Sequence, residues 1–119
     1  MLFVHYPKCS TCKKAKKWLV EHELQFTERH IKDENPTYEE LSEWLKSSGM
    51  PIKKFFNTSG MLYREMQLKD KLPEMSENEM LRLLATDGML VKRPLLIDGS
   101  TVLTGFKEKE WEEKLLNKS

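Results

Sequence analysis

Cys9 and Cys12 are the only two cysteines of the chain. A Cys-x-x-Cys pair on the first turn of a helix holds its Cα atoms roughly 5–6 Å apart, within the span of a disulfide. Here the pair follows Tyr6-Pro7-Lys8, where an apolar run ends, so the first thiol falls at the mouth of a helix. It there faces unpaired backbone N–H groups and the positive end of the macrodipole. Both favour the thiolate, so the Cys9 pKa is expected below the free value of ~8.5, making it a nucleophile near neutral pH. The hydroxyls of Ser10 and Thr11 can add hydrogen bonds to that anion. Behind the pair stand Lys13, Lys14, Lys16 and Lys17. Positive charges in a first turn oppose the macrodipole, so Lys13 and Lys14 cost helix stability. For Lys8 and Lys13 two readings stand side by side: support of a thiolate or incoming anion, and plain solvation of an exposed face. Lys16 and Lys17 read as the solvated face.

Structural zinc needs about four ligands, and His5, His22 and His30 are scattered with no second cysteine pair, so no metal is expected. Two buried, inert thiols are the remaining alternative. The chain has 119 residues, 39% of them hydrophobic, enough for one compact domain over 1–119. Its 20 basic and 19 acidic residues nearly cancel, which argues against direct nucleic-acid binding and makes any electrostatic role local. The N-terminus lacks the pattern of a secretory signal, and no apolar run approaches the ~20 residues of a membrane helix. The expected setting is soluble and cytoplasmic, where a close thiol pair serves redox chemistry more often than as a permanent staple.

The elements that position the pair follow from local patterns. Leu2 to Tyr6 reads as a strand, the residues from Cys12 as a helix with Ala15, Trp18 and Leu19 on one face, and Phe26 to Ile31 as a second strand. This is a βαβ unit. Thr37 and Glu40 form a capping box for a helix that Gly49 ends; Ser76 and Glu79 form another for a helix stopping near Gly88. Between them, residues 53 to 65 read as a helical piece broken by an Asn-Thr-Ser-Gly turn. Pro94 to Ile97, the Asp98-Gly99-Ser100 turn and Thr101 to Thr104 make a hairpin, and Trp111 and Leu115 mark a last helix. The order, βαβ, then helices, then ββα, implies one mixed sheet with helices packed on it.

Pro-x-Cys-x-x-Cys after the first strand, then FFNTSGMLYRE, LVKRPLLIDG and Gly105-Phe106 before the last helix, resemble the ArsC/Spx family in order from Leu2 to about Leu115. The resemblance implies a thioredoxin-like, glutaredoxin-related α/β fold with a helical insertion at about 37–92, and a cis Pro94 opposite the cysteines. Cys9 matches the nucleophile of glutaredoxin-coupled arsenate reductases, and Arg93 one of the arginines that hold the oxyanion. A planar guanidinium suits a tetrahedral oxyanion through paired hydrogen bonds. Asn57 and Gly105 stand where two other arginines of that site are found, with Lys53, Lys54 or Arg64 as candidate substitutes.

Cys12 has no counterpart in that branch and is similar instead to the Spx branch, whose pair is a disulfide switch on a regulator that binds RNA polymerase. Gly49 falls near a glycine of that contact. The leading expectation is a thiol–disulfide redox protein. In it Cys9 attacks an oxyanion or disulfide, Cys12 resolves, and Lys8, Ser10, Thr11, Lys13, Asn57 and Pro94 surround the substrate. No bound cofactor is expected; glutathione with glutaredoxin, or thioredoxin, would restore the thiols. The alternative is a redox-sensing regulator that binds the polymerase α subunit.

Overall fold

The computed structural model describes residues 1–116. Strand β1 (Leu2–His5), helix α1 (Ser10–Glu21) and strand β2 (Thr27–His30) form the βαβ unit, with β1 and β2 parallel. Both strands are shorter than the spans read from the sequence, Leu2 to Tyr6 and Phe26 to Ile31. Tyr6, beyond the end of β1, turns its N–H toward the Cys12 sulfur at 3.5 Å instead of toward a neighbouring strand. The helix starts two residues before Cys12, with Cys9 as its N-cap.

Between β2 and β3 the chain is helical. It runs through α2 (Tyr38–Ser48), a 3₁₀ turn at Ile52–Phe55, α3 (Met61–Glu65), α4 (Leu68–Lys71), a 3₁₀ turn at Leu72–Glu74, α5 (Glu77–Leu84) and a 3₁₀ turn at Gly88–Leu90. Both capping boxes form as read from the sequence, at Thr37 with Glu40 and at Ser76 with Glu79. Gly49 closes α2 at φ +66°. Gly88 has a different role from the one expected. Helix α5 already ends at Leu84, and a Cβ on Gly88 would stand 1.8 Å from the Ile31 carbonyl oxygen. That glycine lets two backbone segments touch.

Strands β3 (Leu95–Asp98) and β4 (Thr101–Thr104) form the expected hairpin around Gly99 at φ +62°. Helix α6 (Glu108–Trp111) widens into a π turn over Glu112–Leu116. The sheet order is β2-β1-β3-β4, with β3 antiparallel to both neighbours. Its pleat divides the core, as period-2 side chains must. Phe3, Leu96 and Leu103 face Trp18 and Leu19 of α1 and Trp111 of α6. Val4, Leu95 and Val102 face the helices between β2 and β3 through Leu41, Phe55, Phe56 and Leu84.

One polar clamp joins those helices to the sheet edge. Arg29 of β2 reaches both carboxylate oxygens of Glu40, at 2.6 and 2.9 Å, and also donates to the Glu34 and Asn35 carbonyls. This clamp lies eleven residues apart in sequence and closes on the same carboxylate that caps α2.

Candidate functional site

Pro7 ends β1 and a tight turn returns the chain, the Cys9 N–H donating to the Tyr6 carbonyl at 2.9 Å. Cys9 then holds the N-cap in extended conformation, its carbonyl accepting from the Lys13 N–H at 3.0 Å. The Cys9 sulfur makes no ordinary side-chain cap, and no acidic residue follows in the first turn. The amides of that turn, those of Thr11 and Cys12 foremost, are therefore available to a negative charge on the sulfur.

The two thiols are pushed in opposite directions. Partial burial raises the Cys9 pKa, but the Cys12 N–H, the Cys12 thiol, the Arg93 guanidinium and the Thr11 N–H together outweigh it and bring the thiol below its ordinary value. Cys12 is completely buried. Burial pushes it up to about 12, against the pull of the Tyr6 N–H, and the neighbouring Cys9 charge adds to the rise. The pair thus sets a partly exposed sulfur that ionises more readily than an ordinary thiol beside a buried one that holds its proton.

Arg93 comes from the segment leading into β3. Its guanidinium carbon lies 5.3 Å from the centre of the Tyr6 ring, a cation–π contact, and it approaches the Met89 sulfur at 3.9 Å. The Arg93–Pro94 bond is cis. Pro94 itself is buried, and its carbonyl accepts the Gly105 N–H at 2.8 Å. Two backbone bonds, Lys92 N–H to Phe55 carbonyl and Asn57 N–H to Leu90 carbonyl, each 2.8 Å, fix Asn57 beside this segment.

Cys9, Thr11, Asn57, Lys92, Arg93 and Lys107 meet around an open cleft of about 320 Å³. Two glycines shape it. A Cβ on Gly60 would come within 2.5 Å of the Asn57 amide nitrogen, and one on Gly105, at φ +71°, within 3.0 Å of the Lys92 Cε. The bare backbone at 105 is what lets the Lys92 arm lie across it.

The sequence profile of the ArsC family matches residues 4–114. The chain belongs to the ArsC family. The protein YusI of Bacillus subtilis, itself uncharacterized, is 58% identical over 95% of this chain and 96% of its own length. The regulatory protein MgsR of the same organism is 34% identical over 92% of this chain and 86% of its own. The crystal structure of a possible arsenate reductase from Streptococcus mutans superposes with a TM-score of 0.85. It shares 42% identity and covers 93% of this chain and 96% of that one. With these relatives the mixed sheet takes its place among ArsC and thioredoxin-like folds.

Within this ArsC-family framework the residues singled out in the sequence separate into three groups. Cys9, Thr11, Asn57 and Arg93 come together at the cleft, Thr11 contributing its backbone N–H to the sulfur. Cys12 and Pro94 lie buried behind it. Lys8, Ser10 and Lys13 are exposed and stand outside the cleft lining. Lys16 reaches Glu28 at 2.9 Å, and Lys17 lies near Glu21 on the helix surface. The candidate substitutes for the arginines need correction. Arg64 lines no part of the cleft, Lys53 and Lys54 line a neighbouring groove, and the cations that join Arg93 at the cleft, among the described residues, are Lys92 and Lys107. Ser59, Gly60, Lys92 and Lys107 were not singled out from the sequence. Only Lys92 carried a signal there, its place directly before Arg93.

Proposed function

We propose that this ArsC-family chain is a thiol–disulfide oxidoreductase of arsenate-reductase type, with Cys9 as nucleophile and Cys12 as resolving thiol. The single observation that supports it most is the split between the two sulfurs: Cys9 is lowered and opens on a cationic cleft, while Cys12 is buried and held up to about 12. On a disulfide, the Cys9 thiolate bonds to one sulfur and expels the other as a thiolate. Cys12 then gives up its proton and attacks the Cys9 sulfur, expelling the second thiolate and leaving a Cys9–Cys12 disulfide. Two electrons pass from the pair to the substrate. On arsenate, Cys9 displaces water from arsenic(V), and attack by Cys12 on Cys9 releases arsenic(III) with the same two electrons. Arg93 holds the oxyanion in that sequence, and Asn57 contributes an amide donor. With Asn57 and Gly105 in the places of two arginines, arsenate turnover is slow relative to disulfide turnover. Glutathione with glutaredoxin, or thioredoxin, resets the pair.

The test combines thiol titration with turnover. Ultraviolet thiolate absorbance against pH gives one group titrating below the ordinary thiol value, and this group is absent from Cys9→Ser. Steady-state assays with each reductant give turnover of a model disulfide in the wild type and none in Cys9→Ser. An unperturbed Cys9 pKa together with no turnover of either substrate ends this reading.

A second reading is a redox-sensing regulator that binds the RNA polymerase α subunit. It is favoured by the likeness to the regulatory protein MgsR and by Gly49, which caps α2 at φ +66° with open space where a Cβ would point. Capture of the α subunit by one oxidation state of the pair and not the other supports it; no complex in either state removes it.

A further inference from the structure

The cleft at Cys9 continues into a second concavity of about 540 Å³ that shares Lys92, Thr104 and Lys107 with it. Lys53 and Lys54, from the 3₁₀ turn after α2, also line it, Phe56 is part of its wall, and Glu110 is its one carboxylate among the described residues. Four ammonium groups therefore face one carboxylate in a chain whose formal net charge is only +1. None of the four makes an ion pair among the described residues, in contrast to Lys16 and Lys17 on α1. A tetrahedral oxyanion of a few atoms needs only the space beside Arg93. The combined cleft is in the range of ~300–1,000 Å³ that accommodates an extended small ligand.

We infer that the substrate reduced by the cysteine pair is a disulfide carried on a short acidic peptide segment, whose carboxylates lie along Lys92, Lys107, Lys53 and Lys54. This rests on the thiol–disulfide reading above and names its substrate class. The chemistry is unchanged: the peptide sulfur bonds to Cys9, its partner thiol leaves, and Cys12 releases the peptide as a thiolate with two electrons gained. What the groove adds is capture. A convergent positive field raises the local concentration and encounter rate of an anionic substrate, and salt weakens it.

The experiment uses the full chain, reduced, and three peptides that each carry one cysteine as a mixed disulfide with 2-mercaptoethanol. Flanking positions hold glutamates, glutamines or lysines in otherwise identical sequences. Oxidation of the pair is followed by mass, as protein that takes up no alkylating agent when unfolded after an acid quench, at low salt and at roughly 0.5 M salt. The acidic peptide is expected to react about tenfold faster than the neutral one at low salt, and the ratio to shrink at high salt. Lys53→Gln with Lys54→Gln brings the ratio close to one. Lys69→Gln with Lys71→Gln, which removes the same charge from exposed positions on α4, keeps it. Equal rates for all three peptides, or an equal fall in both double variants, overturn the assignment while leaving the thiol–disulfide reading standing. Reaction of none of the peptides overturns both.

Discussion

At the start of α2 the Thr37 hydroxyl takes the Glu40 N–H, the Glu40 carboxylate returns to the Thr37 N–H, and Arg29 grips the same carboxylate from β2. At the start of α1 a sulfur stands in the N-cap position, the third helical residue is Cys12, and no carboxylate follows. Thr37 and Glu40 use the amides of their helix to hold the fold. At α1 the Thr11 and Cys12 amides meet no oxygen cap and face the Cys9 sulfur instead, and lysines where acids would help the dipole make that start less stable still. The difference separates a helix end built for stability from one whose donors wait for a negative charge. On the thiol–disulfide reading proposed above, that charge is the Cys9 thiolate.

The largest test of this contrast is at Glu40. Glu40→Ala removes the carboxylate half of the capping box and the Arg29 pair together and is expected to cost about 2 kcal/mol, read from urea unfolding. The Arg29 hydrogen bonds, with those at Thr37, hold the Glu40 carboxyl at about 2 against an ordinary value of 4.5. A depressed folded pKa gives stability that is complete above the unfolded value and lost as the carboxylate takes up its proton. The wild type should therefore lose this contribution between about pH 4.5 and pH 2, whereas Glu40→Gln should show a flatter slope over that window. A wild-type slope identical to that of Glu40→Gln would break the contrast from the stable side.

Smaller changes act at α1. Cys9→Ser supplies the oxygen cap that the helix lacks and should stabilise the chain by on the order of 1 kcal/mol while its redox chemistry disappears. Destabilisation instead would mean that the sulfur was already serving as a cap. Ser10→Glu places an acid in the first turn, with an expected gain of ~0.5 kcal/mol in stability. It should also raise the Cys9 pKa, seen as slower alkylation at fixed pH. Gain in one readout without loss in the other would separate the helix field from the reactivity of the thiol.

Features set by neighbours in sequence were legible without coordinates. Thr37 with Glu40, Ser76 with Glu79, and the turns at Gly49 and Gly99 depend on three or four consecutive residues, so their patterns carry their geometry. Cys9 and Cys12 were legible for the same reason. The contacts that complete the cleft were not. Lys92 reaches it because residues 55–57 pair with 90–92, and its arm lies against the bare backbone of Gly105. Lys107 arrives from beyond β4, and nothing local distinguishes it from the other lysines. Gly88 read as a helix stop because a glycine after a helix commonly is one, while its contact with Ile31 depends on the packing of distant segments. The Arg29 clamp on Glu40 has the same non-local origin.

Cys12, fully enclosed beneath the first turn of α1, has a consequence for counting. Alkylating agents, peroxide and stray metal ions arriving from bulk water meet a single sulfur per folded molecule, and the other is revealed only by unfolding. Its reactions are restricted to whatever its neighbour has already captured, so damage that ends in irreversible sulfur acids falls on one member and spares the other.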